Sequence, residues 1–368
     1  MRRPPALISL VLALAIPLSG CASMLSREYI SLEPHSQFSG GDTDPFTLQA
    51  ENYQSLVNAV LYLVSQGAED GIIRLSNYAR DVEGDLSAAC LEVAQEDPLG
   101  AYAVDYIKYD YTRIVSYYEA SLHISYRRAP EQIKSVVSVT GSSAIKSELH
   151  QVLAAFSSQA VLRVNYFTED QDYITTLVRQ AFYDTPEAVF GVPDFSIALY
   201  PEMGDQRIVE IDLRYPEETE VLRGMREELL ARADSMVSSA GGAEQATLGG
   251  LFSLLRSAAR QSDSEDIRFG TAYAALVSGE GNHRGLAMAL HLLCQRAGLS
   301  STVVRGTRWG APYFWTIVET EEGPRHAVPA WENGRGLLDQ DMTAAGCSWD
   351  TEFYPACSIL SEPDENNT

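Results

Sequence analysis

The residues of this chain best equipped for chemistry are its six histidines and five cysteines. A cysteine acts as nucleophile or metal ligand only as thiolate, so position and neighbours decide its use. Cys21 stands at the end of an N-terminal apolar run, and Cys90 stands alone. Cys294 falls in a helical apolar pattern that reads as core. Cys347 and Cys357 are close enough in sequence to pair as a disulfide. No CxxC and no HxxxH spacing occurs, so no metal site and no cofactor is expected. His283, His326 and Glu332 could serve as acid, base or metal ligands, but their separations follow no motif. Among them lie Tyr313, Trp315 and Trp331, and aromatics beside a few polar groups suit recognition of peptide or sugar.

The first residues give Cys21 its chemistry. Arg2 and Arg3 precede an apolar run from Ala6 to Leu18, followed by Leu18-Ser19-Gly20-Cys21. A basic start, a short apolar core and small residues at a cleavage point are the parts of a secretory signal. The run is too short to cross a bilayer, which takes about 20 residues. Leu-Ser-Gly-Cys resembles the bacterial lipobox, which implies lipidation of the Cys21 thiol, palmitate included, and a protein held on the outer face of the cell membrane. Each buried acyl methylene contributes roughly 0.8 kcal/mol, enough for durable anchoring with several chains. Removing residues 1–21 takes two arginines and no acids, moving the formal net charge from −23 to −25. So acidic a surface repels phosphate backbones and anionic lipid, which excludes nucleic acid as partner and leaves the lipid as the membrane contact.

Residues 22–50, with Ser39-Gly40-Gly41-Asp42 and Asp44-Pro45, read as a flexible tether. An internal repeat follows. Asn77-Tyr78 recurs as Asn165-Tyr166, Asp97-Pro98 as Thr185-Pro186, and Ile124-Ser125-Tyr126 as Leu213-Arg214-Tyr215, at an offset of about 88 residues each time. Helical patterns (Leu56 to Ser65, Ile145 to Ser157) precede each Asn-Tyr, and alternating strand patterns follow each Pro. Tyr118, Ala120, Leu122, Ile124 and Tyr126 would face a core, with Glu119, Ser121 and His123 outward. In the second copy Val209, Ile211 and Leu213 would face inward and Glu210, Asp212 and Arg214 outward. Each unit reads as helix, strand, helix and two strands, with its tyrosines serving sheet packing.

The segment from Thr271 opens a helix that carries His283 and Gly285-Leu286-Ala287 and runs to about Ala297, where Gly298 stops it. Strands are predicted at Ser301–Arg305, at Tyr313–Glu319 and up to Val328. This order and spacing resemble the transglutaminase-like domain of the papain-like cysteine protease superfamily, over roughly the last hundred residues. Gly285-Leu286-Ala287 is similar to that family's Gly-Tyr-Ala, Trp315-Thr316-Ile317-Val318 to its Trp-Asn-Ile-Val, and Pro329-Ala330-Trp331-Glu332 to its Pro-Thr-Trp-Asp. The resemblance puts the family's catalytic Cys at His283, its His at Tyr313 and its Asp at Val328, so all three are replaced. A tyrosine, with an ordinary pKa of about 10, is a poor base at neutral pH, and a valine orients nothing. Cys294 lies eleven residues beyond His283, about 16 Å along a helix, and cannot stand in.

The expected fold class is α+β, a tandem α/β repeat domain followed by a transglutaminase-like α+β domain. The expected boundaries are signal 1–21, tether 22–50, repeats 51–135 and 136–218, a helical connector 219–262, the transglutaminase-like domain 263–361 and a disordered tail 362–368. The favoured reading is a membrane-anchored binding module without thiol catalysis. His283, Tyr313, Trp315, His326, Trp331 and Glu332 would line the former active-site cleft, with cell-wall peptide, glycan or a protein as ligand. Two alternatives stand: a non-thiol hydrolase using His283, His326 and Glu332, and an assembly lipoprotein acting through the outer strand faces near Glu119 and Glu210.

Overall fold

The computed structural model describes residues 47–165, 170–242, 246–330, 337–338 (backbone only) and 342–357. The signal segment, Cys21, the tether up to residue 46, Trp331, Glu332 and the tail lie outside the described residues. The chain opens with β1 (Thr47–Ala50), α1 (Tyr53–Gln66), β2 (Asp70–Ser76), α2 (Val82–Gln95), α3 (Pro98–Ala103), β3 (Val104–Ile114) and β4 (Tyr117–Tyr126). After a short α4 (Pro130–Lys134) come β5 (Val137–Val139), α5 (Gly141–Ala154), β6 (Gln159–Asn165), α6 (Gln171–Asp184), β7 (Asp194–Tyr200) and β8 (Gln206–Arg214). The two sheets share one topology, β1-β2-β4-β3 and β5-β6-β8-β7. In each the opening strand is parallel to the second and the other pairings are antiparallel. Those opening strands are absent from the sequence reading, and β1 falls at the end of the stretch expected as tether. A run of three or four residues is too short for alternation to register.

The repeat extends to single hydrogen bonds. Tyr126 Oη donates to the Ala68 carbonyl at 2.9 Å, and Tyr215 Oη to the equivalent Ser157 carbonyl at 3.0 Å. The Ile124 N–H donates to the Glu69 carbonyl and the Leu213 N–H to the Ser158 carbonyl, at 2.7 and 2.8 Å. Both turns carry a left-handed residue after the helix, Gly67 (φ 67°) in the first unit and Phe156 (φ 53°) in the second. Glycine adopts that conformation freely, whereas a side chain there costs about 1–2 kcal/mol. At Phe156 burial offsets the strain, since its ring is packed against Tyr215 and Phe190.

The alternation expected along β4 holds, with Ala120, Leu122 and Ile124 buried and Ser121 and His123 exposed. On β8 one residue departs from it. Glu210, expected on the outer face, is only 4% exposed because α3 and the segment after β4 cover that end of the second sheet. Its carboxylate takes an ion pair from Arg128, a hydrogen bond from Tyr200 Oη at 3.1 Å and another from Gln159 Nε2 at 2.8 Å. Asp212 and Arg214, further along the strand, are exposed as expected.

The remaining elements include α7 (Thr219–Ser239), α8 (Leu248–Ala258), β9 (Arg260–Gln261), a π-helical turn (Ala274–Ser278), β10 (Glu280–Gly281), α9 (His283–Arg296), β11 (Ser301–Arg308), β12 (Ala311–Thr320), β13 (Gly323–Val328), β14 (Leu337–Leu338) and β15 (Cys347–Ser348). The last five strands form an antiparallel sheet of order β14-β13-β12-β11-β15. Helix α7 buries Leu222, Leu229 and Ala233, and α8 buries Leu251, Phe252 and Leu255. These side chains join one continuous core with the second repeat, α9, Val303 and Phe314. The stretch expected as a connector therefore packs against α9 and joins the core that the second repeat shares with the C-terminal sheet, at roughly 1.5–3 kcal/mol for each large apolar side chain buried. The first repeat keeps its own core, to which Val161 and Ile208 of the second contribute.

A buried polar network crosses the same junction. Gln180 Nε2 donates to Asp184 Oδ1, Thr302 Oγ1 and the Val303 carbonyl at 2.9, 3.1 and 2.9 Å. His291, 1% exposed, has Nδ1 at 2.8 Å from Ser301 Oγ and Nε2 at 3.2 Å from the Asp184 carbonyl.

Candidate functional site

The start of α9 sets the position of His283. Asn282 caps the helix, its side-chain oxygen accepting from the N–H groups of Arg284 and Gly285 at 3.1 Å each, and its Nδ2 donating to the Ser264 carbonyl. Such a cap contributes about 1 kcal/mol. Gly285 is required by contact, since a Cβ there would lie 2.3 Å from the Phe269 carbonyl oxygen. The helix start is thus pressed against the Phe269–Thr271 backbone, with His283 as its first residue.

Strand β12 is buried on both faces. Phe314 and Val318 face the large core and Thr316 Oγ1 donates to the Ala287 carbonyl of α9, while Tyr313, Trp315 and Ile317 enter a second, smaller cluster. The registered pairing of β12 with β13 runs from Thr316–Ala327 to Thr320–Gly323. The Phe314 N–H lies beyond it and donates to His283 Nδ1 at 3.2 Å. Because Nδ1 accepts, the neutral ring carries its proton on Nε2. That nitrogen is buried and sits 3.5 Å from Glu265 Oε1, with no well-directed hydrogen bond among the described residues. Burial holds the imidazole below its ordinary pKa; Glu265 pulls the other way and Arg284 adds to the lowering. Desolvation is the largest of these causes.

The structure brings His283, Tyr313, Trp315 and His326 together in one cluster of rings. The His283 ring lies 4.9 Å from that of Tyr313 and 5.7 Å from that of Phe314, near parallel to both. Tyr313 Oη donates to the Ala330 carbonyl at 2.6 Å. Trp315 Nε1 donates to His326 Nδ1 at 3.0 Å, and Trp349 closes edge-on over both rings at 5.5 and 5.1 Å. Trp315 is fully buried, and Tyr313 and His326 are 9% and 7% exposed. These aromatics are therefore the interior of the C-terminal sheet, not the open wall of a cleft. Val328 is buried in the same cluster. Trp331 and Glu332 lie outside the described residues.

The expected Cys347–Cys357 disulfide is not formed. Cys347 is a free, buried thiol whose pKa burial pushes up, while Cys357 borders the same cluster with its Sγ 3.9 Å from the Pro355 carbonyl oxygen. Cys294 is core, as its helical position suggested, and burial pushes its thiol up to about 12. Glu265 and Trp349 were missed as site residues. Glu265 sits in an Asp-Ser-rich turn and Trp349 in a loop, where no periodicity marks a residue that meets a distant one. Gln180 and His291 were missed because polar residues on a helix read as solvated until the partner element is known.

No protein-family model and no curated protein matches the sequence. Among solved structures the chain is similar to a TGase, with 11% identity and a TM-score of 0.28, covering 56% of this chain and 60% of that one. It is also similar to a candidate protease from Parabacteroides distasonis, with 9% identity and a TM-score of 0.22, covering 70% of this chain and 39% of that one. The third is menin, described with its binding site for the Mixed Lineage Leukemia protein, with 13% identity and a TM-score of 0.25, covering 55% of this chain and 40% of that one. The chain thus spans less than two thirds of the length of each.

Proposed function

We propose that this chain is an exported lipoprotein, held on the outer face of the bacterial membrane through Cys21, whose C-terminal part recognises a ligand and does not transform it. The observation that carries the second half is how the three triad-equivalent positions are used. The His283 Nδ1 lone pair is taken by the Phe314 N–H, the Tyr313 hydroxyl by the Ala330 carbonyl, and Val328 is core. A general base needs a free lone pair within reach of its proton, and a nucleophile needs an activated thiol or hydroxyl. His283 is committed to tying the helix start to β12, Tyr313 to holding the segment after β13, and Val328 to the core. His326 Nδ1 likewise accepts from Trp315, which argues against the two histidines as acid–base partners. The signal-like N-terminus and the Leu-Ser-Gly-Cys run support the location, and the net charge of −23 argues against nucleic acid. Cell-wall peptide, glycan or a wall-proximal protein is then the ligand class within reach.

The test is co-sedimentation of the full-length chain, purified in detergent, with purified peptidoglycan, beside assays of amide hydrolysis and amine incorporation. Wall binding with no turnover is expected. Turnover abolished by His283→Ala would overturn the non-catalytic reading, and absence of co-sedimentation would remove the wall as ligand. Labelled palmitate should enter the wild type and not Cys21→Ser; equal labelling of both would remove the anchor.

A further inference from the structure

A pocket of about 140 Å³ lies between α6, β11 and the loop after β15, and none of the residues of the His283 stack lines it. Its walls are aromatic: Tyr183, Phe353 and Tyr354. Its floor is already satisfied and rigid. Tyr354 Oη donates to Gln180 Oε1 at 2.8 Å and accepts from the Arg305 backbone N–H at 3.2 Å. Gln180 is in turn locked to Asp184 and Val303. The Tyr183 ring is held edge-on by Phe314, and Lys146 Nζ sits 4.5 Å from the Phe353 ring centre. What the pocket still offers is at its rim, where Arg179 and Arg305 line it and are exposed.

Among the described residues neither guanidinium makes a side-chain ion pair or hydrogen bond. Arg74, Arg128 and Arg296, by contrast, face Glu119, Glu210 and Asp234. At this pocket two guanidinium groups are therefore left to take an anion. Asp350, also at the rim, offsets one of the two charges and leaves a lining of formal charge +1. That balance suits a monoanion better than a dianionic phosphate, and a planar guanidinium is the donor that fits a carboxylate.

We infer that this pocket binds the carboxylate of a small ligand bearing an aromatic or apolar group, about the size of one amino-acid residue. The guanidinium groups take the carboxylate, and the aromatic walls take the side group. The site is independent of the proposed role of the His283 region.

Titration calorimetry of the full-length chain with N-acetylphenylalanine tests it, against the corresponding amide and inorganic phosphate. The acid is expected to bind saturably. The amide should bind about tenfold more weakly or worse, and Arg179→Ala and Arg305→Ala should each weaken the acid to a similar degree. Both arginines are exposed, so unchanged thermal melts are expected to accompany that loss. A peptide ending in phenylalanine carboxylate separates the sources: tighter binding than the single acid identifies a peptide end, equal binding a free acid. The inference is overturned if the amide binds as well as the acid, if phosphate binds more tightly, or if the acid does not bind.

Discussion

Trp315 illustrates how a residue suited to recognition becomes a structural one. Its indole is fully buried, its N–H has an acceptor in His326, and Trp349 and Tyr313 pack around it. Trp315→Ala should therefore cost about 3–5 kcal/mol, read as a lower urea midpoint; a loss below about 1 kcal/mol would mean the ring is not core. The buried histidines make a pH prediction. His291 is held below its ordinary value chiefly by burial, with Asp184 opposing, and His283 is lowered in the same way. Both titrate near 6.5 when unfolded, so below that pH the unfolded chain takes up protons that the folded chain does not. Stability should be full above about pH 6.5 and fall as pH drops below it, by at most about 1.4 kcal/mol per pH unit for each histidine. Thermal melts between pH 7.5 and 5.5 should show a shallower slope for His291→Gln than for the wild type, and parallel slopes would refute the assignment.

At the scale of the element, the two repeats place the same turn under different local chemistry. Gly67 occupies its left-handed position without strain, so Gly67→Ala should lose about 1–2 kcal/mol. Phe156→Gly, at the equivalent position, relieves that strain and removes a buried ring packed on Tyr215 and Phe190. Loss of the ring is the larger effect, about 3–5 kcal/mol against 1–2, so a net loss of roughly 1–4 kcal/mol is expected. Denaturant curves for the two variants check both signs, and a stabilised Phe156→Gly would show that the packing had been overvalued.

For the molecule as a whole, the junctions are as built as the units they join. Arg128, from the segment after β4, reaches Glu210 of β8 and lies over the rings of Tyr102 and Tyr200. Removing one partner of a mostly buried pair leaves a desolvated charge, so Arg128→Ala should destabilise by about 3–5 kcal/mol. The paired Arg128→Met/Glu210→Leu exchange should recover most of that loss. If the double variant were no better than the single, the ion pair would be contributing more than mutual neutralisation. On the other side of the second repeat, the shared core and the Gln180–Asp184–His291 network tie it to the C-terminal sheet. The second repeat should therefore unfold together with that sheet.

Much of the backbone plan was legible in the chain alone. The 88-residue repeat, the alternation along β4 and the run of α9 into an antiparallel sheet are local or periodic signals, set by which side chains must leave water. That His283, Tyr313 and Val328 bring no thiol with them was equally readable, because side-chain identity limits chemistry before any folding. Only the tertiary structure decided that Tyr313, Trp315 and His326 are interior, that Glu210 is covered, that α7 and α8 are core, and that Arg179 and Arg305 meet Tyr354 at one pocket. Burial depends on which distant element arrives on a given face, and nothing in a residue's neighbours along the chain encodes that arrival.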